Sequence, residues 1–296
     1  MQAPDRFLRY GLIAPALVLV IGTTLWPVVS AVTTSLRDWR LKRSSLPQKW
    51  VGFDNYLVAF EEPEFWNAVK VTTTFVILDV LLTVCLALAV ALLLRRAGVL
   101  QSLVRAVIIL PFAVSPALIG VSFRFMLNGE HGVLARGFAA TFPWLSDVVW
   151  LATPGYAMAA LIASDVWHWF PYLTLMFLGG LAAIPKETEE AAELDGANGL
   201  QMIFLVILPQ IRSIIAVGAI LKTIFALKMF DQVATLTGGG PGITTQTLAH
   251  YTYAVGFVHY DMGLASALAV ILTAILVTIG IFYIRLVLPQ REHSAP

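Results

Sequence analysis

The sequence predicts an all-α membrane protein with six transmembrane helices and both termini on the cytoplasmic side. Three observations carry that expectation. The 296-residue chain is 58% apolar and only 12% charged, where a soluble domain carries roughly 25% charged residues. Its mean hydropathy of +0.81 leaves more apolar surface than one core can hide, so lipid must solvate much of it. Its apolar residues also come in runs long enough to cross a hydrocarbon layer, which takes about 20 helical residues. These runs are too long and continuous for barrel strands, and only helices or closed barrels satisfy the backbone in lipid.

Taken in order, the expected spans cover about 11–36, 71–94, 104–127, 154–183, 211–230 and 262–286. The first lies between Arg9 and Arg37, with no charge between them. It is too long for a signal-peptide core and lacks a cleavage site, so it is read as a retained anchor. The second carries only Asp79, the third holds Pro111 and Pro116, and the fourth has Asp165 near its middle. The fifth is weaker, with Arg212, Lys222 and Lys228, and the sixth is uncharged through Ile284.

Orientation follows from lysine and arginine in the short loops. The Arg95–Arg105 turn, with Arg96, is basic and has no acid, and Asp231–Asp261 has neither lysine nor arginine. The first therefore faces the cytoplasm and the second the outside, which puts both termini inside. Residues 38–68, with Trp39, Trp50, Trp66 and several phenylalanines and tyrosines, form a semi-ordered outer loop.

Several function classes drop out. A net charge of +1 gives no basic patch for nucleic acid. Cys85, the one cysteine, makes neither an intrachain disulfide nor a metal site and reads as small apolar filler. The five histidines show no metal-ligand spacing, so no metal is expected. The Gly238–Gly242 run lacks the Gly-Lys-Ser/Thr ending of a phosphate loop. No cofactor is expected on this chain, and any ATP and magnesium belong to another one.

Residues 185–209 differ from the rest, because five acids fall between Glu187 and Asp195. Pro185 suits a first helical turn, and Glu187, Glu189 and Glu190 suit the positive end of the helix dipole. Gly196 can end that helix in the left-handed conformation. A second short helix follows from about Asn198 to Leu208, and Pro209 marks entry to the next span. The pattern fits a cleft in another protein, or a plain solvated loop.

Glu190-Ala191-Ala192, three residues, Gly196, nine residues, then Val206-Ile207-Leu208-Pro209 resembles the EAA signature of bacterial ABC-importer permeases. With Asp195-Gly196-Ala197 it is the form typical of carbohydrate importers. Phe230-Asp231, Leu236-Thr237-Gly238-Gly239-Gly240-Pro241 and Gly263-Leu264-Ala265-Ser266-Ala267 are similar to signatures of the maltose-transporter F-type and glycerol-phosphate A-type permeases. The resemblance implies a type I ABC importer permease fold in a bacterial inner membrane. It implies coupling through Glu190, Ala191, Ala192, Asp195, Gly196, Ala197, Leu208 and Pro209 to two separate ATPase subunits. It further implies a second permease, as a heterodimer, and an extracytoplasmic binding protein that delivers a sugar or sugar-like solute.

Polar groups at membrane depth are functional candidates. Asp79 reads as a hydrogen bond between spans. Asp165-Val166-Trp167-His168-Trp169-Phe170-Pro171-Tyr172 pairs aromatic faces with hydrogen-bonding groups, as a carbohydrate site does, or forms an interfacial aromatic belt. Lys222 and Lys228 are six residues apart, ~120° around a helix, and both are read as facing a polar interior. By the resemblance, the solute contacts fall at Trp167, His168, Trp169, Tyr172, Lys222 and Ala226, with Asp165 and Lys228 beside them. Lys222 and Ala226 replace small polar residues of the maltose type, which leaves room for an anionic or smaller sugar. Two rivals remain: an ion-gradient-driven secondary transporter using Asp79 and Asp165, and a membrane glycosyltransferase.

Overall fold

The computed structural model of the chain describes residues 4–95 and 98–287. Arg96, Arg291 and His293 lie outside them. Among the described residues there are helices and two isolated β-bridges. Four helical stretches are long and apolar enough to cross a membrane: Gly11–Ser35, Pro63–Leu94, Gly199–Leu227 and Met262–Tyr283. A fifth is a pair, Ser102–Ala113 and Pro116–Met126, bent by 94°.

The chain divides into two compact units. One comprises the chain up to Phe65 together with Tyr251–Ala274. It holds α1 (Pro4–Ser35), α2 (Asp54–Glu61) and the start of α13 (Met262–Val287). Where the sequence predicts a semi-ordered loop over 38–68, this stretch is folded. Antiparallel bridges pair Arg37 with Trp50 and Arg40 with Asp261. The Asn55 amide donates to the carbonyls of Ser35 (2.8 Å) and Arg37 (3.0 Å). Asp261 caps α13 by accepting from the Leu264 N–H at 3.0 Å, and it pairs with Arg40 at 2.9 Å. Gly263 is needed here for closeness, since a Cβ would lie 2.5 Å from the Arg37 carbonyl.

The other unit comprises Trp66–His250 and the chain from Ile275 on. It holds most of α3 (Pro63–Leu94), then α4 (Val99–Ile108), α5 (Leu110–Ala113), α6 (Pro116–Met126), α7 (Val133–Thr141), α8 (Pro154–Ala182) and α9 (Lys186–Leu194). It continues through α10 (Gly199–Gln201), a wide π turn at Met202–Ile207, α11 (Leu208–Leu227), a second π turn at Val233–Thr237, and the first half of α12 (Leu248–Tyr253).

Two boundaries depart from the expectation. The expected third span breaks sharply, because Pro116 pushes Ser115 into an extended conformation (ψ 143°), where its hydroxyl caps α6. The second helix expected at 198–208 is not a separate piece. It runs on through the π turn and Pro209 as the first turns of the Gly199–Leu227 helix. Pro209 is tolerated there because it directly follows the wide turn, where Leu208 N–H reaches back to Ile203 O and the regular ladder is already interrupted. Cys85 lies exposed on α3 rather than filling the interior.

α8 is the hub of this unit. It spans 29 residues yet is too polar to pass as an apolar span, and 14 of its residues are buried by protein. Against it α11 packs closely: a Cβ on Gly218 would lie 2.9 Å from the Phe177 ring, and one on Gly180 2.6 Å from Ile214. Small residues at such crossings let helix backbones approach.

Candidate functional site

At the centre of the larger unit, α3, α8 and α11 bring three charges together. Asp79 and Lys222 are each 0% exposed and Asp165 is 2% exposed. Lys222 Nζ donates to Asp165 Oδ2 and lies 2.5 Å from Asp79 Oδ2. The Gln232 amide donates to the other Asp165 oxygen at 3.1 Å, and the Ser164 hydroxyl donates to Gln232 Oε1 at 2.8 Å. Asp79 is served more sparsely. Thr83 reaches its Oδ1 at 3.5 Å, and its Oδ2 has no well-aligned hydrogen bond despite its closeness to the ammonium. The Trp169 ring lies 5.5 Å from Lys222 Nζ, a cation–π contact.

The periodicity of α8 sorts the aromatic run. Asp165, His168, Trp169 and Tyr172 fall at i, i+3, i+4 and i+7 and share one face. Trp167 points elsewhere, 41% exposed, with its ring 5.8 Å from Phe123. Phe112, in the short α5 at the proline break, packs into the shared face. Its ring lies 5.5 Å from His168, 5.3 Å from Trp169 and 4.9 Å from Tyr172. Trp169 also meets Phe225 at 4.6 Å, so this chain's own rings occupy its faces.

The residues expected to line a solute path are therefore divided. Asp165, His168, Trp169, Lys222 and Ala226 are buried, Tyr172 is half-buried, and Trp167 and Lys228 are exposed. Lys222 and Lys228 do not share a polar interior. The helix ends at Leu227, and Lys228 leaves it with φ −95° and ψ 12°, so helical spacing no longer relates the two. Lys222 is consumed by two carboxylates of its own chain, which removes the reason for reading it as a mark of an anionic solute.

Residues 185–209 form a second site. α9 ends in a Schellman turn: Ala197 N–H donates to Ala192 O and Gly196 N–H to Glu193 O, both at 3.0 Å. Gly196 takes φ +82°, as that turn requires. Asn198 then opens the next helix with a capping box, accepting from Gln201 N–H (2.9 Å) while Gln201 accepts from Asn198 N–H (2.8 Å). Glu190, Ala191, Asp195, Gly196 and Pro209 are exposed, and Ala192, Ala197 and Leu208 are half-buried. Leu194, Leu200, Phe204 and Leu205 expose 62–90% of their surface. The Arg95 guanidinium pairs with Glu189 at 2.9 Å and ties α9 to the end of α3. A cavity of about 590 Å³, lined by Arg95, Arg105, Lys186 and Glu190 among others, opens beside this contact.

Phe112, Gln232, Ser164 and Thr83 are the site residues that the sequence reading misses. The proline pair at 111 and 116 signals the break that delivers Phe112. Gln232 escapes because residues 231–261 read as an outer loop, whereas here Gln232 is fully buried.

The chain resembles known transport proteins over nearly its whole length. It is 33% identical to the sulfoquinovosyl glycerol transport system permease protein of Agrobacterium fabrum, over 96% of this chain and 91% of that one. It is 34% identical to the trehalose/maltose transport system permease protein of Thermococcus litoralis, with 94% and 92% covered. With the sn-glycerol-3-phosphate transport system permease protein of Rhizobium meliloti the figures are 33%, 98% and 97%. Its fold matches a chain in the crystal structure of a bacterial ABC transporter involved in import of the acidic polysaccharide alginate. That match has a TM-score of 0.83 at 21% identity, over 98% of this chain and 97% of the other. Residues 83–293 match the family model for binding-protein-dependent transport system inner membrane components. The chain is a member of that family, a transport permease subunit that is itself not the ATPase.

Proposed function

We propose that this permease forms one half of the path for a sugar or sugar-like solute. An extracytoplasmic binding protein delivers the solute, and two separate ATPase subunits that carry ATP and magnesium drive its import. The solute class comes from the relatives' names, which cover neutral disaccharides and anionic sugar derivatives alike. In this reading six helices cross the bacterial inner membrane and both termini face the cytoplasm. α8 is the span that composition alone fails to score, since 29 residues at 1.5 Å each reach ~43 Å and its polar side chains turn inward. A second permease, a different chain by family practice, completes the path.

The observation that carries coupling is the 185–209 element. It is a short helix closed by a glycine turn, tethered to the end of α3 by Arg95, with large apolar side chains left in the open. Such a rigid knob transmits a rigid-body motion when a partner groove grips it. The solute-facing surface reduces to Trp167, Tyr172 and Lys228, the members of the expected set that are not buried. Uptake and ATPase assays on the assembled complex test the reading. A Glu190→Lys complex should insert normally, bind its ATPases poorly and lose solute-stimulated ATP turnover. Full association and full turnover in that variant would overturn it.

A further inference from the structure

We infer that the Asp79–Lys222–Asp165 cluster binds a single proton, held on Asp79, and works as a neutral clip joining three helices. Two carboxylates and one ammonium leave a formal charge of −1 at a place where Asp79 and Lys222 are 0% exposed. A charge buried without compensation is costly enough that the group takes up a proton instead. The geometry says which carboxylate does so. Asp165 accepts from the aligned ammonium on one oxygen and from the Gln232 amide on the other, so both its oxygens are already engaged by donors. Asp79 has no aligned donor on Oδ2, and its Oδ1 faces the Thr83 hydroxyl at 3.5 Å, a group that can accept as readily as donate.

A proton on Oδ1 points at Thr83 and leaves Oδ2 as a carbonyl, which still turns its lone pairs to the ammonium. The cluster then sums to zero: one ionised acid, one neutral acid, one cation. The groups facing Asp79 are Lys222 from α11, Asp165 from α8 with His168 one turn further on, Gln232 beyond α11, and Thr83 on α3 itself. None supplies a second cation; His168 is buried, stacked on Phe112, and its Nδ1 has no hydrogen-bond partner. The inference concerns charge within this chain and does not depend on the solute.

An amide is the neutral match for a carboxylic acid, so the test separates the two aspartates. Asp79→Asn places a carbonyl toward Lys222 and an N–H toward Thr83. It should keep the membrane level and melting temperature of the assembled complex, with uptake per permease within about twofold of wild type. Asp165→Asn removes the ionised partner and should lower folded protein on the order of tenfold, as breaking a buried pair does. Infrared spectra of the purified complex at neutral pH should show a carboxylic-acid C=O band that Asp79→Asn removes. Asp79→Asn as damaging as Asp165→Asn, or a spectrum in which Asp79→Asn removes no such band, would overturn the proposal.

Discussion

Replacing Lys222 with methionine tests the central cluster most severely. Methionine keeps the length and apolar stem of lysine and removes only the ammonium. The cluster loses its contacts to Asp165 and Asp79 and the cation–π contact to Trp169. Asp165 then remains buried with the Gln232 amide donating to one of its oxygens. Removing one partner of a buried pair costs about 3–5 kcal/mol, and the cation–π contact adds on the order of 1 kcal/mol. That is a large share of the stability of an ordinary domain. The assay is thermal unfolding of the detergent-purified complex, together with the amount of permease reaching the membrane. Lys222→Met should be scarce and unstable whatever solute is supplied, and Lys222→Met/Asp165→Asn should recover a good part of the loss by restoring neutrality. A single variant that melts within ~2 °C of wild type, the shift of about 1 kcal/mol, yet loses uptake of acidic solutes only, would refute this reasoning and return Lys222 to the solute path.

Other expectations follow from the same contacts. Gly196→Val meets no atom within 4 Å, so its cost is the left-handed backbone alone, about 1–2 kcal/mol; membrane insertion should persist while uptake and ATPase association fall. Gly218→Ala sets a methyl 2.9 Å from Phe177 and should lower the melting temperature, by overpacking worth about 1–3 kcal/mol, without touching ATPase docking. Arg95→Ala should loosen α9 and lower transport per ATP hydrolysed, with recovery in the Arg95→Glu/Glu189→Arg exchange. In intact cells a membrane-impermeant thiol reagent should label Ile243→Cys and spare Glu193→Cys in a Cys85→Ser background; labelling of Glu193→Cys alone would invert the proposed orientation.

The helices were legible where lipid or a local code decides them. Uncharged runs announce α1 and α13, and Pro185, Gly196 and Asn198 spell out the start of α9, its end and the next start. The sequence says less where tertiary contacts decide. The acid, histidine and tryptophans of α8 depress its apolar character, because a helix enclosed by protein needs no greasy surface. The order in 38–68 comes from bonds to residues far along the chain, Asp261 above all, and no local pattern encodes those.

For the candidate site, the sequence marks the charged side chains at membrane depth and leaves their partners open. Asp79, Asp165 and Lys222 stand out because charges at membrane depth are rare. Whether a lysine there meets a solute or an acid depends on which faces of three helices converge, and helical angle cannot decide that across a helix end, as Lys228 shows. Once two carboxylates are found on one ammonium, the lysine ceases to be evidence about the solute's charge. Neutral and anionic sugars then become equally compatible with this interior, in keeping with relatives whose names cover both. In the function proposed above, selectivity then falls to surfaces that remain open, Trp167 and Tyr172 on α8 and Lys228 just past α11, or to the proposed partner permease and binding protein. The buried cluster would instead hold α3, α8 and α11 together as one body, with α9 tied to the end of α3 through Arg95 and Glu189.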